Sequence, residues 1–92
     1  MKVQDPEVGG AARSIAGRDK GRLYLIVGID GGRLLLSDGK YRRAEHPKTK
    51  NAGHVRLLPR FYRDIAARLA EGKDENSNIR AALLALEAES KS

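Results

Sequence analysis

The chain has no cysteine and no tryptophan, and a single phenylalanine among its 92 residues. The lack of cysteine excludes disulfides, thiolate zinc sites and thiol catalysis, and it is typical of a cytoplasmic protein. Because aromatic residues make up only 4% of the chain, leucine, isoleucine, valine and alanine must fill the core. A chain of this length suffices for a single domain.

Long apolar runs are also missing. The longest, Leu23 to Ile29, is far shorter than the roughly 20 residues that span a bilayer. The first residues show no charged-then-apolar signal pattern either. We therefore expect neither membrane insertion nor secretion, and no membrane partner.

Basic residues are abundant and concentrated in one part of the chain. Lysine and arginine number 18 against 12 acidic residues, which gives a net charge of +6. Residues 13–63 contain thirteen of these cations and only four carboxylates, whereas the two flanking segments are weakly acidic. A cationic region of this kind favours a polyanionic partner.

The middle of the chain has the periodicity of β-strands. Residues 23–29 alternate with period two, which predicts a strand. Asp-Gly-Gly at 30–32 predicts a tight turn into a second strand over 33–37. Asp-Gly at 38–39 predicts another turn, into a third strand over 40–43.

Two weaker strands complete the predicted β-region. The glycine- and alanine-rich segment 10–15 predicts an opening strand, and 54–57 predicts a closing one. Residues 46–53 have no periodicity and are expected to form an exposed loop. About five short strands with tight turns predict a small β-barrel over residues 9–58, because a barrel leaves no long unpaired edge. Residues 1–8 are expected to be a flexible lead-in.

Helical periodicity follows the predicted barrel. Pro59 suits the first turn of a helix, and Gly72 is a natural stop. A second helix is expected to begin near residues 74–77, which are candidate caps. Two short amphipathic helices over residues 59–92 should pack on the barrel or on a partner. Their apolar stripes are Leu58, Tyr62, Ile65 and Leu69 in the first, and Ile79, Leu83 and Leu86 in the second.

Residues 14–22 read S-I-A-G-R-D-K-G-R, with most of the charge between two glycines. A P-loop is disfavoured, because its spacing needs four residues before Gly-Lys and a helix afterwards. A hairpin turn explains the glycines, with Asp19 bonded to its own backbone and the cations in water. A loop that grips nucleic acid also explains why the cations cluster here and again at 42–50. We favour the nucleic-acid interpretation and keep the solvated turn as its alternative.

The same residues resemble a known motif. A-G-R-D-K-G-R followed by L-Y-L-I-V-G-I resembles the KOW motif, a strand–loop–strand segment of many ribosomal proteins and transcription elongation factors. S-D-G-K-Y-R-R and H-P-K-T-K-N-A-G-H-V extend the resemblance to bacterial KOW-domain RNA-binding proteins, which are similar to the archaeal and eukaryotic large-ribosomal-subunit protein fourteen family. The resemblance covers residues 9–59 and extends only loosely to the helices.

This resemblance implies an SH3-like barrel in a cytoplasmic, ribosome-associated protein that binds ribosomal RNA or another structured RNA. Arg18, Lys20 and Arg22 would be the loop contacts, with Gly17 and Gly21 allowing the shape of the loop. The implied RNA-binding surface is extended by Arg13, Arg42, Arg43, Lys48, Lys50 and His54.

The remaining polar residues are better explained by structural roles than by metal binding or catalysis. His46 and His54 lack the ligand spacing of a metal site, so we expect no metal and no cofactor. Asp19, Asp30 and Asp38 are expected at turns. No nucleophile, base and orienting group can be assembled from these residues, and we predict that the protein is not an enzyme.

Two questions stay open at the level of sequence. Tyr24 is expected to pack in the core, as are Phe61 and Tyr62, whereas Tyr41 could either pack or stack on bases. The alternative function is a protein–protein adaptor in the translation or transcription machinery. SH3-like barrels also bind proteins, and the helical stripes could form a docking face.

Overall fold

The computed structural model describes residues 5–90, which form a five-stranded antiparallel sheet followed by two helices. The predicted β-region followed by two C-terminal helices is therefore confirmed. Residues 1–4 of the predicted lead-in lie outside the described residues. The elements are β1 (Gly10–Ser14), β2 (Leu23–Asp30), β3 (Arg33–Ser37), β4 (Lys48–Asn51), a 3₁₀ helix (Ala52–His54), β5 (Val55–Phe61), α1 (Arg63–Ala70) and α2 (Asn76–Ser90).

The sheet is interrupted by two irregularities. Its strand order is β4-β3-β2-β1-β5, so β4 and β5 are the edges and the 3₁₀ helix connects them. The register shifts between Ile26 and Gly28 in the β2–β3 pair and between Gly10 and Ala12 in the β1–β5 pair. Irregularities of this kind bend strands and increase their twist. The two register shifts therefore bend the sheet, while within residues 5–90 its edge strands β4 and β5 do not pair with each other.

The alternation of β2 divides the core into two clusters. Tyr24 and Ile26 belong to the first cluster, together with buried residues of β1, β3 and β5. Leu23 and Leu25 belong to the second, together with buried residues of both helices. Successive strand residues point to opposite faces, so one strand contributes to both cores. The full sets of buried residues are Ala12, Tyr24, Ile26, Leu34, Leu36 and Val55 in the first, and Leu23, Leu25, Ile65, Ile79 and Leu83 in the second.

The predicted strand at 40–43 is wrong, because these residues form a local turn. The Asp38 carboxylate accepts hydrogen bonds from the backbone N–H of Lys40 at 2.9 Å and of Arg42 at 2.8 Å. The Ser37 hydroxyl donates to the carbonyl of Arg42 at 2.7 Å. These bonds satisfy backbone groups that a strand would pair with a neighbour. We call residues 38–43 the Asp38 turn.

The fourth strand lies instead where a loop was predicted. Lys48–Asn51 pairs antiparallel with β3, with Lys48 opposite Leu36 and Lys50 opposite Leu34. This segment has no apolar residue that would indicate a strand. Its place in the sheet depends on main-chain pairing and on contacts of its two lysines with a distant loop.

Pro59 lies in β5 and not in the first turn of a helix, so that prediction is also wrong. The strand continues to Phe61 and, among residues 5–90, pairs only with β1. An edge strand tolerates proline because one row of its backbone groups has no partner strand. Phe61, predicted as core, is 46% exposed, whereas Tyr62 is half-buried and packs against the second cluster.

Both predicted helices are present, and their buried residues pack against the sheet. Helix α1 ends before Gly72, which has a φ of +79° and donates its N–H to the carbonyl of Leu69. In α2, Ile79 and Leu83 are buried against β2 residues of the second cluster. The predicted stop and the predicted stripe of α2 are therefore confirmed, whereas two residues of the other predicted stripe lie outside α1, Leu58 in β5 and Tyr62 just before the helix. Within residues 5–90, neither helix has the length and apolar character needed to cross a membrane.

The start of α2 is fastened to the Asp38 turn and to the two residues that follow it. Asn76 accepts a hydrogen bond from the N–H of Ala44 at 2.8 Å, and its side-chain amide donates to Glu45 at 2.8 Å. Gly39 has a φ of +77°, and a Cβ there would overlap the carbonyl of Asn76 and lie 2.9 Å from the nitrogen of Arg80. Only glycine fits this close approach, which sets the position of α2 beside the turn.

Candidate functional site

The segment between β1 and β2, residues 15–22, forms a closed turn that we call the basic loop. Gly17 and Gly21 have φ values of +85° and +94°, in the region that favours glycine. The N–H of Gly21 donates to the carbonyl of Ser14 at 2.8 Å, and the N–H of Arg22 donates to the carbonyl of Asp19 at 2.9 Å. The backbone of the loop is therefore held by its own hydrogen bonds.

Asp19 fixes the loop to the sheet. Its carboxylate is 7% exposed and accepts hydrogen bonds at 2.8 Å from the Ser14 hydroxyl and at 2.8 Å from the Tyr24 hydroxyl. The ammonium of Lys50 lies 3.0 Å from one carboxylate oxygen, and that of Lys48 lies 3.1 Å from the other. We call these five residues the Asp19 cluster. Because its members come from β1, the loop, β2 and β4, the cluster ties the tip of the loop to three strands.

The cluster strongly perturbs two titrations. Burial of Asp19 would raise the pKa of its carboxyl, but hydrogen bonds from Tyr24, Ser14 and the two lysines outweigh burial and hold this pKa far below its usual value. Burial raises the pKa of Tyr24 well above its usual value, and the hydrogen bond to the charged Asp19 raises it further. At neutral pH the cluster thus contains an ionised Asp19 carboxylate and a neutral Tyr24 phenol.

The two lysines of β4 support the loop from inside. The side chain of Lys50 is only 9% exposed and also donates to the carbonyl of Ala16 at 2.8 Å. Lys48 is 27% exposed. Sequence reasoning placed both on an RNA-contacting surface, whereas the structure turns their ammonium groups toward Asp19.

The other cations of the loop face outward. Arg18, Lys20 and Arg22 are all exposed. Within residues 5–90, no hydrogen bond or ion pair involves the side chains of Arg18 and Lys20. The guanidinium of Arg22 lies 5.5 Å from the ring centre of Tyr41. The loop therefore presents three accessible cations on a fixed backbone.

Tyr41 lies next to the loop and is 70% exposed. The ammonium of Lys40 lies 4.9 Å from its ring centre, so two cations flank one aromatic ring. A groove of about 360 Å³ runs from this ring to α2. We call it the Tyr41 groove; it is lined by Gly21, Arg22, Leu23, Asp38, Lys40, Tyr41, Arg80, Leu83, Leu84 and Glu87.

Two further predicted RNA contacts, Arg13 and Arg43, have partners within the protein. Arg13 donates to the carbonyl of Gly21 at 2.6 Å and pairs with Glu87 at 3.1 Å. Arg43 lies 3.3 Å from Glu45 and 3.7 Å from Asp74. Both arginines are thus engaged by neighbouring side chains.

Arg42 and His54 are exposed. Arg42 lies in the Asp38 turn, where its backbone groups are bonded to Ser37 and Asp38. His54 ends the 3₁₀ helix, and its carbonyl accepts from the N–H of Ile15 at 3.0 Å. The structure therefore brings both residues to segments that adjoin the basic loop or the Tyr41 groove.

Sequence reasoning missed the role of Asp19. It predicted a side chain bonded to its own backbone, but the partners lie in three strands. A usable signal was present, because Asp19 is the only carboxylate between Arg13 and Ile29. A lone carboxylate among cations is well placed to pair with several of them.

Lys40 and Arg80 were also missed as site residues, since their proximity to Tyr41 depends on how α2 packs. For metals, residues 5–90 contain no group of three or more histidine, aspartate or glutamate side chains that could hold an ion. The prediction that the protein is not an enzyme stays a prediction.

No family model matches the chain, and no match is found among curated proteins. The basic loop and the Tyr41 groove are therefore the features of the molecule from which a function can be inferred.

Proposed function

We propose that this chain is a non-enzymatic RNA-binding protein that holds the RNA phosphate backbone with the basic loop. The observation that carries the proposal is the Asp19 cluster, which pins the loop while Arg18, Lys20 and Arg22 stay exposed. A purely solvated turn needs no such anchor. Cations on a fixed support are what phosphate recognition requires.

The proposal includes the finer identity of the fold. We infer that the curved five-stranded sheet is an SH3-like barrel of the KOW type, with the basic loop as its RNA-contacting loop. The strand order, with β1 between β2 and β5, and the 3₁₀ link between β4 and β5 support this inference. The A-G-R-D-K-G-R motif supports it independently.

The binding energy would come mainly from charge neutralisation. Each cation that meets a phosphate releases condensed counterions, so the affinity should fall steeply as salt increases. A preformed loop also loses little conformational freedom when RNA binds. This division assigns the contacts to Arg18, Lys20 and Arg22, and loop support to Lys48 and Lys50.

The proposed target is a structured RNA, with large-subunit ribosomal RNA as the leading candidate and a cytoplasmic, ribosome-associated protein as the setting. The major groove of A-form RNA is too deep and narrow for side chains to read. The loop would therefore recognise backbone shape and exposed RNA loops more than base sequence.

A charge-reversal experiment tests the proposal. Arg18→Glu/Lys20→Glu should abolish crosslinking of the tagged protein to RNA in its native cells and leave the thermal unfolding temperature nearly unchanged, because both side chains are exposed. Sequencing of the crosslinked RNA identifies the target. Crosslinks to large-subunit ribosomal RNA would support the ribosomal assignment.

A matched control is available outside the basic loop. Arg33 begins β3 beside the β2–β3 turn, and Arg63 begins α1 after β5. Both are exposed, so Arg33→Glu/Arg63→Glu makes the same change in net charge and leaves the sequence of the basic loop intact. Equal loss of crosslinks in both double variants would contradict a loop-specific contact and indicate a general effect of charge.

The adaptor alternative has one observation in its favour, since Leu84 on α2 is 63% exposed. However, the apolar stripes that suggested a docking face contribute to the second core cluster. That packing leaves less apolar helix surface for a protein partner. Capture of a protein that survives Arg18→Glu/Lys20→Glu, in the absence of RNA crosslinks, would favour the adaptor function.

A further inference from the structure

The Tyr41 groove combines features that the phosphate-binding loop alone does not use. Its wall carries a tyrosine ring that is 70% exposed, with Lys40 and Arg22 at 4.9 and 5.5 Å from the ring centre. The opposite wall is α2, which contributes Arg80 and the exposed Leu84. A flat aromatic ring, an apolar side chain and three cations thus share one open groove.

The carboxylates of the groove already have partners. Asp38 accepts two hydrogen bonds from the backbone of its own turn. Glu87 pairs with Arg13 at 3.1 Å and accepts from the Ser90 hydroxyl at 3.1 Å. These bonds direct the negative charges to protein groups, so the cations around Tyr41 dominate what a ligand meets in the groove.

We propose that the Tyr41 groove binds one unpaired nucleotide of the RNA, with the base stacked on Tyr41 and the adjoining phosphates on Arg22, Lys40 and Arg80. This inference rests on the proposed RNA-binding function and deepens it. A volume of about 360 Å³ lies within the roughly 300–1,000 Å³ of small-ligand sites. A stacked base displaces one cation from the ring, and that cation then meets a phosphate.

The chemistry favours a nucleotide over an acidic peptide. A carboxylate side chain would satisfy the cations but would leave the exposed ring without a flat partner. A base covers the ring by stacking, and its phosphates satisfy the same cations. A base inside a duplex cannot reach the ring, so the nucleotide must be unpaired.

The position of the groove also fits one continuous RNA path. Gly21 and Arg22 belong to both the basic loop and the groove lining. A strand whose phosphates lie on Arg18 and Lys20 would therefore continue directly to Tyr41. The loop would hold structured RNA, and the groove would take a nucleotide that leaves the helical stack.

The test compares two RNA probes of equal phosphate number. One is a hairpin with an unpaired loop that contains 2-aminopurine, and the other is a blunt duplex. We expect the hairpin to bind more tightly and its 2-aminopurine emission to be quenched on binding. Tyr41→Ala should weaken hairpin binding by about tenfold, within the range for loss of one base–aromatic stack, and should leave duplex binding unchanged.

Two variants control for side effects. Tyr41→Phe keeps the ring and should bind the hairpin like the wild type. Phe61→Ala removes another exposed aromatic ring, 46% accessible, at the far end of β5, and should have no effect. Because Tyr41→Ala removes no charge, the slope of log affinity against log salt should not change, whereas Arg22→Ala should reduce it by about 0.7.

The alternative outcomes each overturn something specific. Equal binding of hairpin and duplex, with no effect of Tyr41→Ala, overturns the nucleotide inference and leaves RNA binding intact. Failure of the wild type to bind either RNA overturns both proposals. A polyglutamate peptide that binds in a Tyr41-dependent way and displaces the hairpin makes the groove a peptide site and also overturns the inference.

Discussion

The basic loop and the Asp38 turn both place one aspartate among glycine and several cations, but their aspartates have different partners. Asp19 is bonded to side chains from three strands, including Lys50, which is 31 residues away in the chain. Within the described residues, the Asp38 carboxylate is bonded only to backbone groups two and four residues ahead. The first carboxylate joins distant parts of the sheet, whereas the second shapes its own turn. Similar local compositions can therefore support a long-range anchor and a local turn.

This comparison also distinguishes two kinds of cation. Lys48 and Lys50 look like surface lysines in the sequence, yet they neutralise a buried carboxylate. Lys40 and Arg22 remain exposed beside an aromatic ring. The number of positive charges in a segment thus does not show how many of them a polyanion can reach.

The largest effect is expected from Asp19→Asn. This change leaves the Lys48 and Lys50 ammonium groups without their carboxylate, and we expect a loss of about 3 kcal/mol in the free energy of unfolding, at the low end for a broken buried ion pair because Lys48 keeps some contact with solvent. Asp38→Asn is the matched control. Its amide oxygen can still accept backbone hydrogen bonds, so the loss should stay within about 0.5 kcal/mol. Urea unfolding measures both.

Asp19→Asn also separates charge from shape in RNA binding. It makes the protein more positive, so binding driven by net charge alone should strengthen. We expect weaker binding, because the loop is no longer fixed to β1, β2 and β4 and must be ordered when RNA binds. Tighter binding by this variant, measured under conditions where it is folded, would contradict the proposed role of the Asp19 cluster.

The next largest effect concerns the glycines of the two segments. A Cβ at Gly39 would overlap the carbonyl of Asn76, whereas a Cβ at Gly21 would meet nothing within 4 Å. Both residues have positive φ, so each alanine variant carries backbone strain of about 1–2 kcal/mol. Gly39→Ala must also displace the start of α2, and we expect it to cost about 1 kcal/mol more than Gly21→Ala. Hydrogen exchange should show that the amides of α2 are less protected in Gly39→Ala than in Gly21→Ala. Equal protection of these amides in both variants would contradict the role of Gly39 in positioning the helix.

The sequence predicts the elements whose signals are local. The alternation of β2, the Gly31-Gly32 turn before β3 and the stripe of α2 all appear where expected. In each case, neighbouring residues carry the pattern, since the apolar periodicity or turn chemistry is contained in a few positions. The motif resemblance adds the expectation that residues 15–22 form the functional loop.

The incorrect predictions concern elements that are determined by contacts between distant parts of the chain. Strand β4 has no apolar pattern, and it is defined by its pairing with β3 and by the contacts of its lysines with Asp19. Pro59 is compatible with a helix start and with an edge strand, and its surroundings decide between them. The Tyr41 groove exists only because α2 packs beside the Asp38 turn. Such long-range contacts leave no signature at the residues themselves.

The smallest expected effect is a loss of stability at alkaline pH that depends on Tyr24. The folded protein holds the pKa of Tyr24 well above its usual value, whereas the pKa of tyrosine in the unfolded chain is about 10. Above that pH the unfolded state binds fewer protons, so the free energy of unfolding should fall, and below it the contribution is fully present. Tyr24→Phe removes this proton, and the wild-type curve should be steeper than that of the variant by up to about 1.4 kcal/mol per pH unit.

The pKa of Tyr62 is raised as well, but that residue is common to both proteins and cancels in the difference. Urea unfolding at several pH values between about 9 and 11.5 measures the two curves. Parallel curves would mean that neither burial nor the hydrogen bond to Asp19 holds the Tyr24 proton, and the basic loop would then lack its anchor on β2.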